Sequence, residues 1–131
     1  INDTHGHLVG DRVLADFARV VSSRIGPNDV FGRFGGEEFV LFLAEADFSA
    51  AWRVAEAVRH EFGALEIRNG VHMVDATVSV GVSAVPLIEP DLEHLVASAD
   101  AGLYAAKQSG RDRVETVAEP VRWSPRSGRA V

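Results

Sequence analysis

"RFGGEEFVLF", residues 33–42, sets two glycines and two glutamates between apolar runs of β character. The runs "VFGRF" and "EFVLFL" flank Gly35 and Gly36 and predict a hairpin, because tight primed turns need positive φ and glycine supplies it. Glu37 and Glu38 then stand at the turn. Two adjacent carboxylates on a fixed turn suit a hard cation such as Mg²⁺, which prefers oxygen ligands and completes its shell with phosphate and water. Gly35 and Gly36 carry no side chains, so a ligand can approach their backbone closely. A solvated hairpin tip whose charges discourage edge pairing uses the same residues. Local chemistry alone leaves both readings open.

The segments on either side predict helices and further strands. From Asp11, the apolar residues Val13, Leu14, Phe17, Val20, Val21 and Ile25 form a helical stripe that stops at Gly26 and Pro27. Residues 1–10, "INDTHGHLVG", read as a loop feeding that helix. Ser49–Phe62 predicts a second amphipathic helix, with Ala51, Val54, Ala55, Val58 and Phe62 on one face. "RNG" at 68–70 reads as a turn. Residues 71–85 are strand-like, with Val78, Val80 and Val82 alternating with small residues. Leu92–Ser109 predicts a third helix, with Leu95, Val96, Ala99 and Leu103 inward and Gly110 as C-cap. "DRVETV", 112–117, predicts a last strand. Hairpins mixed with helices point to an α+β fold, with a central, mainly antiparallel sheet surrounded by helices. Residues 1–118 form the predicted domain, and 119–131, with two prolines, three arginines and little periodicity, a loose tail.

Composition narrows the function classes. The 131 residues are enough for one domain with a real core, and hydrophobic residues make up 47%. A net charge of −6 argues against a nucleic-acid duplex or an anionic membrane as the main partner, while leaving room for a phosphate held by a few local cations. There is no cysteine, which excludes disulfides and thiolate metal sites and fits a reducing compartment. No apolar run approaches the roughly 18–20 residues that span a bilayer. The chain opens on Ile1, and its single methionine is Met73, so we expect a piece of a longer protein.

Two more clusters carry chemistry. "NDTHGHLVGD" places Asn2, Asp3, His5, His7 and Asp11 within ten residues. Asn and Asp can read the donor and acceptor edges of a base, and histidine can donate to a phosphate. A turn with Asp11 as N-cap explains the same residues structurally. His5 and His7, two apart across glycine, make a poor metal pair. In "AAKQSGRDR", Lys107 and Arg111 close the third helix, where cations complement the negative end of the helix dipole. Both could also reach past the helix end to one anion. Asp100 reads as a surface or capping residue, Trp52 as packing and Trp123 as part of the tail.

Taken together, "IND.HGH..GD..L", "D...RFGGEEF", "SVGVS" and "AD.GLY.AK..GR.RV" resemble the GGDEF family of diguanylate cyclase domains, in its GGEEF variant, over roughly residues 1–117. The resemblance implies a fold similar to the palm of nucleotide cyclases and polymerases. It also implies condensation of two GTP molecules into cyclic di-GMP with release of pyrophosphate, in facing domains of a homodimer. By the same resemblance, Asn2 and Asp11 would hydrogen-bond guanine and His7 would contact the substrate. Gly35 and Gly36 would lie against the nucleotide. Glu37 would bind Mg²⁺ or Mn²⁺ and act as base, Glu38 would support the metal or nucleotide, and Lys107 and Arg111 would hold the terminal phosphates. A cytoplasmic location is expected, with an upstream sensor or dimerising segment and a parent protein that can be membrane-anchored.

Two departures from the family pattern qualify these expectations. The family's second metal-binding aspartate lies on a strand eight positions before the residue matching Asn2, ahead of Ile1. We therefore expect the 131 residues alone to be catalytically crippled, an idea that a well-folded, active protein of this length would sink. The family's product-inhibition motif, arginine-x-x-aspartate, survives here only in Asp29, because Gly26 stands in place of the arginine. Strong product inhibition is not expected. A non-catalytic GTP-binding regulatory module is the alternative to the enzyme, and a purely structural domain is a third reading.

Overall fold

The computed structural model describes residues 7–84 and 92–117, together with the backbone at 123–124 and 129–130. Its elements run α1 (His7–Ser22), β1 (Val30–Gly35), β2 (Glu38–Phe42), α2 (Phe48–Gly63), β3 (Ile67–Asn69), β4 (His72–Val74), β5 (Val80–Gly81), α3 (Leu92–Gln108), β6 (Val114–Glu115), β7 (Trp123–Ser124) and β8 (Arg129–Ala130). This is the predicted α+β mixture. The ladders among the described residues are two-stranded: β1–β2, β3–β4 and β7–β8 are antiparallel, and β5–β6 is parallel. The segment expected as a loose tail thus carries the small β7–β8 pair.

Helix α1 begins at His7, four residues ahead of the predicted start, which corrects the reading of Asp11 as an N-cap. The reason is burial. Val9 joins Val13, Phe17, Val20 and Val21 in the core, so the apolar stripe extends one turn further back than the sequence pattern suggests. Helix α2 is capped by Asp47, whose carboxylate accepts from the Ala50 amide at 2.8 Å and satisfies one of the orphan donors of the first turn.

Residues 71–85 do not form one long strand. Ile67–Asn69 pairs with His72–Val74 around Gly70 and Val71, and ladder pairing resumes only at Val80. The turn read at 68–70 therefore sits slightly later. Burial of Ile67 and Val74 fixes this register, since a one-residue slip would turn both outward.

The core has two parts. The larger joins α1, α2 (Val58, Phe62) and the β3–β4 hairpin, with Phe31, Phe39 and Leu41 of β1–β2 packed onto it. The smaller joins Ala55 of α2 to Val82 and Val114 beside β5 and β6, with Ala51, Trp52 and Val80 against it. Helix α2 therefore bridges the two. Helix α3 lies on β5–β6 through a glycine contact, in which a methyl group on Gly81 would sit 1.9 Å from the Ala99 carbonyl oxygen. Ala106, one turn after Gly102, is completely buried.

Candidate active site

The hairpin forms for the reason the sequence suggests, with one refinement. Val30 pairs with Phe42, Phe31 with Leu41, Gly32 with Val40 and Arg33 with Phe39; the register then slips, so that Gly35 pairs with Glu38 and Phe34 is left as a bulge. Gly36 and Glu37 are the turn. Gly36 has φ +55° while Glu37 keeps an ordinary negative φ, the pattern of a II′ turn with glycine at its first central position.

Two side chains that the sequence reading left without a role hold this tip in place. Arg33 donates from Nε (2.8 Å) and Nη2 (2.5 Å) to the Gly36 carbonyl oxygen, bracing the turn from within. Phe39, immediately after the glutamates, stacks on Phe31 with ring centroids 5.3 Å apart and meets Phe17 at 5.1 Å, while Phe17 makes an edge contact with Phe62. The tip is exposed, and its base is anchored in an aromatic cluster. The signal for Phe39 was its place on the alternating strand; for Arg33 no local signal existed.

The end of α3 meets the hairpin. Lys107 Nζ lies 3.4 Å from Glu38 Oε2, with both side chains partly exposed. Beyond it the Arg111 amide donates to the Ala106 carbonyl at 2.9 Å and closes the helix, while the Arg111 guanidinium reaches back to within 3.5 Å of the Lys107 carbonyl. Glu38, Lys107 and Arg111 thus gather around one end of α3, and Glu37 stands exposed on the adjoining turn. Asp11 is exposed on α1, and no hydrogen bond joins it to this cluster among the described residues. Asn2, with Asp3 and His5, lies outside the described residues, and His7 is described only as the first residue of α1.

Among the described residues no three His, Asp or Glu side chains converge as a metal cage. The donor set nonetheless fits Mg²⁺ or Mn²⁺ of the substrate-bridging kind, which uses one or two carboxylates, here Glu37 and Glu38, with phosphate and water completing the shell.

Asp29 has a structural occupation. Its Oδ2 accepts from the Gly26 amide at 2.9 Å and its Oδ1 from the Ala44 amide at 2.9 Å, tying the loop before β1 to the exit of β2. These two hydrogen bonds, Gly26 first, hold the carboxyl pKa below the usual aspartate value. The neighbouring Arg24 is bound to Glu61 through Nε (2.9 Å) and Nη2 (2.8 Å). A cleft of about 230 Å³ lies beside them, lined in part by Pro27, Leu43 and Val54. No helix among the described residues is long and apolar enough to cross a membrane. Asp100 falls in the middle of α3, exposed, and caps nothing.

Comparison with known proteins places this arrangement in a defined context. A family model described as "Diguanylate cyclase, GGDEF domain" matches residues 1–113. The response regulator PleD of Caulobacter vibrioides is 41% identical over 116 residues, covering 87% of this chain and 26% of its own length. Among solved structures, the GGDEF domain of DgcB from Caulobacter crescentus, in complex with c-di-GMP, superposes with a TM-score of 0.79 at 31% identity, covering 87% of this chain and 68% of that one. The active GGEEF domain of a diguanylate cyclase from Vibrio cholerae gives a TM-score of 0.77 at 32% identity, covering 88% and 72%. The chain spans about a quarter of the length of PleD.

Proposed function

The chain belongs to the family of GGDEF diguanylate cyclase domains, and from that premise we propose that it condenses two GTP molecules into cyclic di-GMP. Two domains face each other, each holding one GTP. The 3′-hydroxyl oxygen of one nucleotide attacks the α-phosphorus of the other. A new P–O bond forms as the bond to pyrophosphate breaks, and the hydroxyl proton passes to Glu37. A second, reciprocal step closes the ring.

The observation that supports this reading is the 3.4 Å approach of Lys107, near the end of α3, to Glu38 of the GGEE hairpin. Without ligand, each charge answers the other. With a nucleoside triphosphate present, Lys107 and Arg111 would turn to its terminal phosphates, where positioning and charge stabilisation do most of the catalytic work. Glu37 and Glu38 would hold the divalent ion, which when bound offsets negative charge on the reacting phosphates. Asn2 and Asp11 would read guanine, His7 would contact the substrate, and Gly35 and Gly36 would lie against the nucleotide. Rejection of adenine then follows from polar groups left unpaired against the wrong base.

Asp29 bears on regulation. Both of its oxygens are used within the fold, Gly26 stands where an arginine is needed, and Arg24 is committed to Glu61. We therefore expect no strong product inhibition at this place; tight cyclic di-GMP binding that vanishes in Asp29→Ala would refute this.

The test is to incubate the protein within its parent chain with GTP and Mg²⁺ and look for cyclic di-GMP by mass spectrometry. Product that disappears on chelation supports the cyclase. Intact GTP despite tight, guanine-selective binding supports the regulatory module instead, and neither binding nor turnover leaves a structural domain.

A further inference from the structure

The turn that follows α3 is held in an unusual conformation from outside. Arg111 and Asp112 are consecutive non-glycine residues with φ of 64° and 47°. Such a conformation is disfavoured for a residue with a side chain and persists only where the surroundings over-determine it. Two restraints are local: the Arg111 amide on the Ala106 carbonyl, and Arg113 Nε on the Arg111 carbonyl at 3.1 Å. Two come from distant elements. The Asp112 amide donates to Ser79 Oγ at 3.2 Å, and Arg59 Nη1 of α2 donates to Asp112 Oδ1 at 3.0 Å. Arg59 is itself aimed by Glu56, one turn earlier, through Nε to Oε1 at 2.9 Å. The Arg59 side chain is 26% exposed and that of Asp112 48%, so the pair is open to solvent on the Asp112 side and its contribution is modest.

We propose that Arg59 is a positioning residue for Arg111: by clamping Asp112 it holds the left-handed turn that presents the Arg111 guanidinium to the substrate's terminal phosphates. The inference rests on the reading of Arg111 as a phosphate ligand. Arg59 acts in two ways. It fixes a backbone that would otherwise relax toward the right-handed region and swing Arg111 away. It also neutralises a carboxylate that, one residue from Arg111, would repel the same triphosphate. The clamp reaches across 53 positions of sequence and ties the bridging helix α2 to the turn after α3.

The experiment measures the affinity of a non-hydrolysable GTP analogue, and separately of guanosine monophosphate, with Mg²⁺ on the parent chain. The variants are Arg59→Ala, Arg59→Lys, Arg111→Ala and the double variant Arg59→Ala/Arg111→Ala. Arg59→Ala should weaken the triphosphate about fivefold, the scale of one well-ordered partly exposed ion pair, and leave the monophosphate unchanged. Arg59→Lys, which keeps the charge, should recover part of the loss, and it carries the test if Arg59→Ala does not fold. In the Arg111→Ala background, Arg59→Ala should cost nothing further. The inference is overturned if Arg111→Ala weakens the triphosphate but Arg59→Ala does not, or if the two losses add. Should Arg111→Ala itself leave triphosphate binding intact, the phosphate-ligand reading fails first and takes this inference with it.

Discussion

Substituting Gly81 by alanine should do more damage than the same change at any other glycine whose surroundings the structure describes. The new Cβ would stand 1.9 Å from the Ala99 carbonyl oxygen, 2.2 Å from the Leu103 amide nitrogen and 2.8 Å from the Gly102 carbonyl carbon, all backbone atoms that no rotamer change can move. Ordinary carbon contacts start near 3.5 Å, so α3 must retreat from β5 by roughly 1.5 Å. Gly102 already brings the helix to the other strand, where its own Cβ would lie 2.8 Å from the Glu115 carbonyl oxygen, so the helix has no room to pivot toward β6. Overpacking of this kind costs about 3 kcal/mol, which for a domain of this size lowers Tm by roughly 10 °C. The displacement is also functional. Helix α3 carries Lys107, and a shift of about 1 Å at a site that works by positioning can cost about 100-fold in rate. Thermal unfolding by circular dichroism, with cyclic di-GMP synthesis on the parent chain, reads both effects. Gly32→Ala is the control, because nothing lies within 4 Å of its Cβ position. A Gly81→Ala protein melting within about 2 °C of wild type would refute the packing argument.

Three other outcomes are expected. Lys107→Ala should weaken GTP binding by about 10-fold or more, as loss of a charge-assisted contact implies, yet shift Tm little because its ion pair with Glu38 is partly exposed; isothermal titration and melting check the two halves. The Asp29 carboxyl is stabilised in its charged form, so its folded pKa lies below the unfolded value of about 3.9; its contribution is full above that value and fades as pH falls through the folded pKa. Asp29→Asn should therefore be less stable than wild type at neutral pH, and the gap should begin to narrow as pH falls through about 3.9 and close below the folded pKa, read by denaturant titration across pH. Arg33→Ala should free the Gly36 carbonyl and raise hydrogen exchange at the hairpin tip without unfolding the aromatic cluster beneath it, which exchange mass spectrometry can localise.

What was legible in the sequence was whatever one local period or one short motif carries. The three helices and the hairpin show in stripes such as Val13, Phe17 and Val20 and in the paired glycines, and the family resemblance follows from four motifs in order. The helix start was misplaced because Leu8 is 85% exposed and Gly10 interrupts the pattern, so only the burial of Val9 reveals the extra turn. The β3–β4 ladder was hidden for a related reason. The three-residue strands are too short for alternation to register, and a pairing such as Ile67 with Val74 is decided by the core beneath. The residues that hold the site were least visible. Lys107 and Glu38 stand 69 positions apart, and periodicity cannot bring them together; only the family pattern did. Arg59 shows in sequence as an ordinary i, i+3 partner of Glu56 on a helix face, and nothing local announces its second partner, Asp112.

The central claim is that the GGEE turn is the chemical end of the site rather than a solvated tip. Its most direct test is Glu37→Gln in the parent chain, assayed with GTP and Mg²⁺ by mass spectrometry alongside a GTP-binding titration. The account predicts that cyclic di-GMP falls below detection while guanine-selective nucleotide binding survives, because the substitution removes the base and a metal ligand but no contact to guanine. Product at the wild-type rate from Glu37→Gln would contradict it.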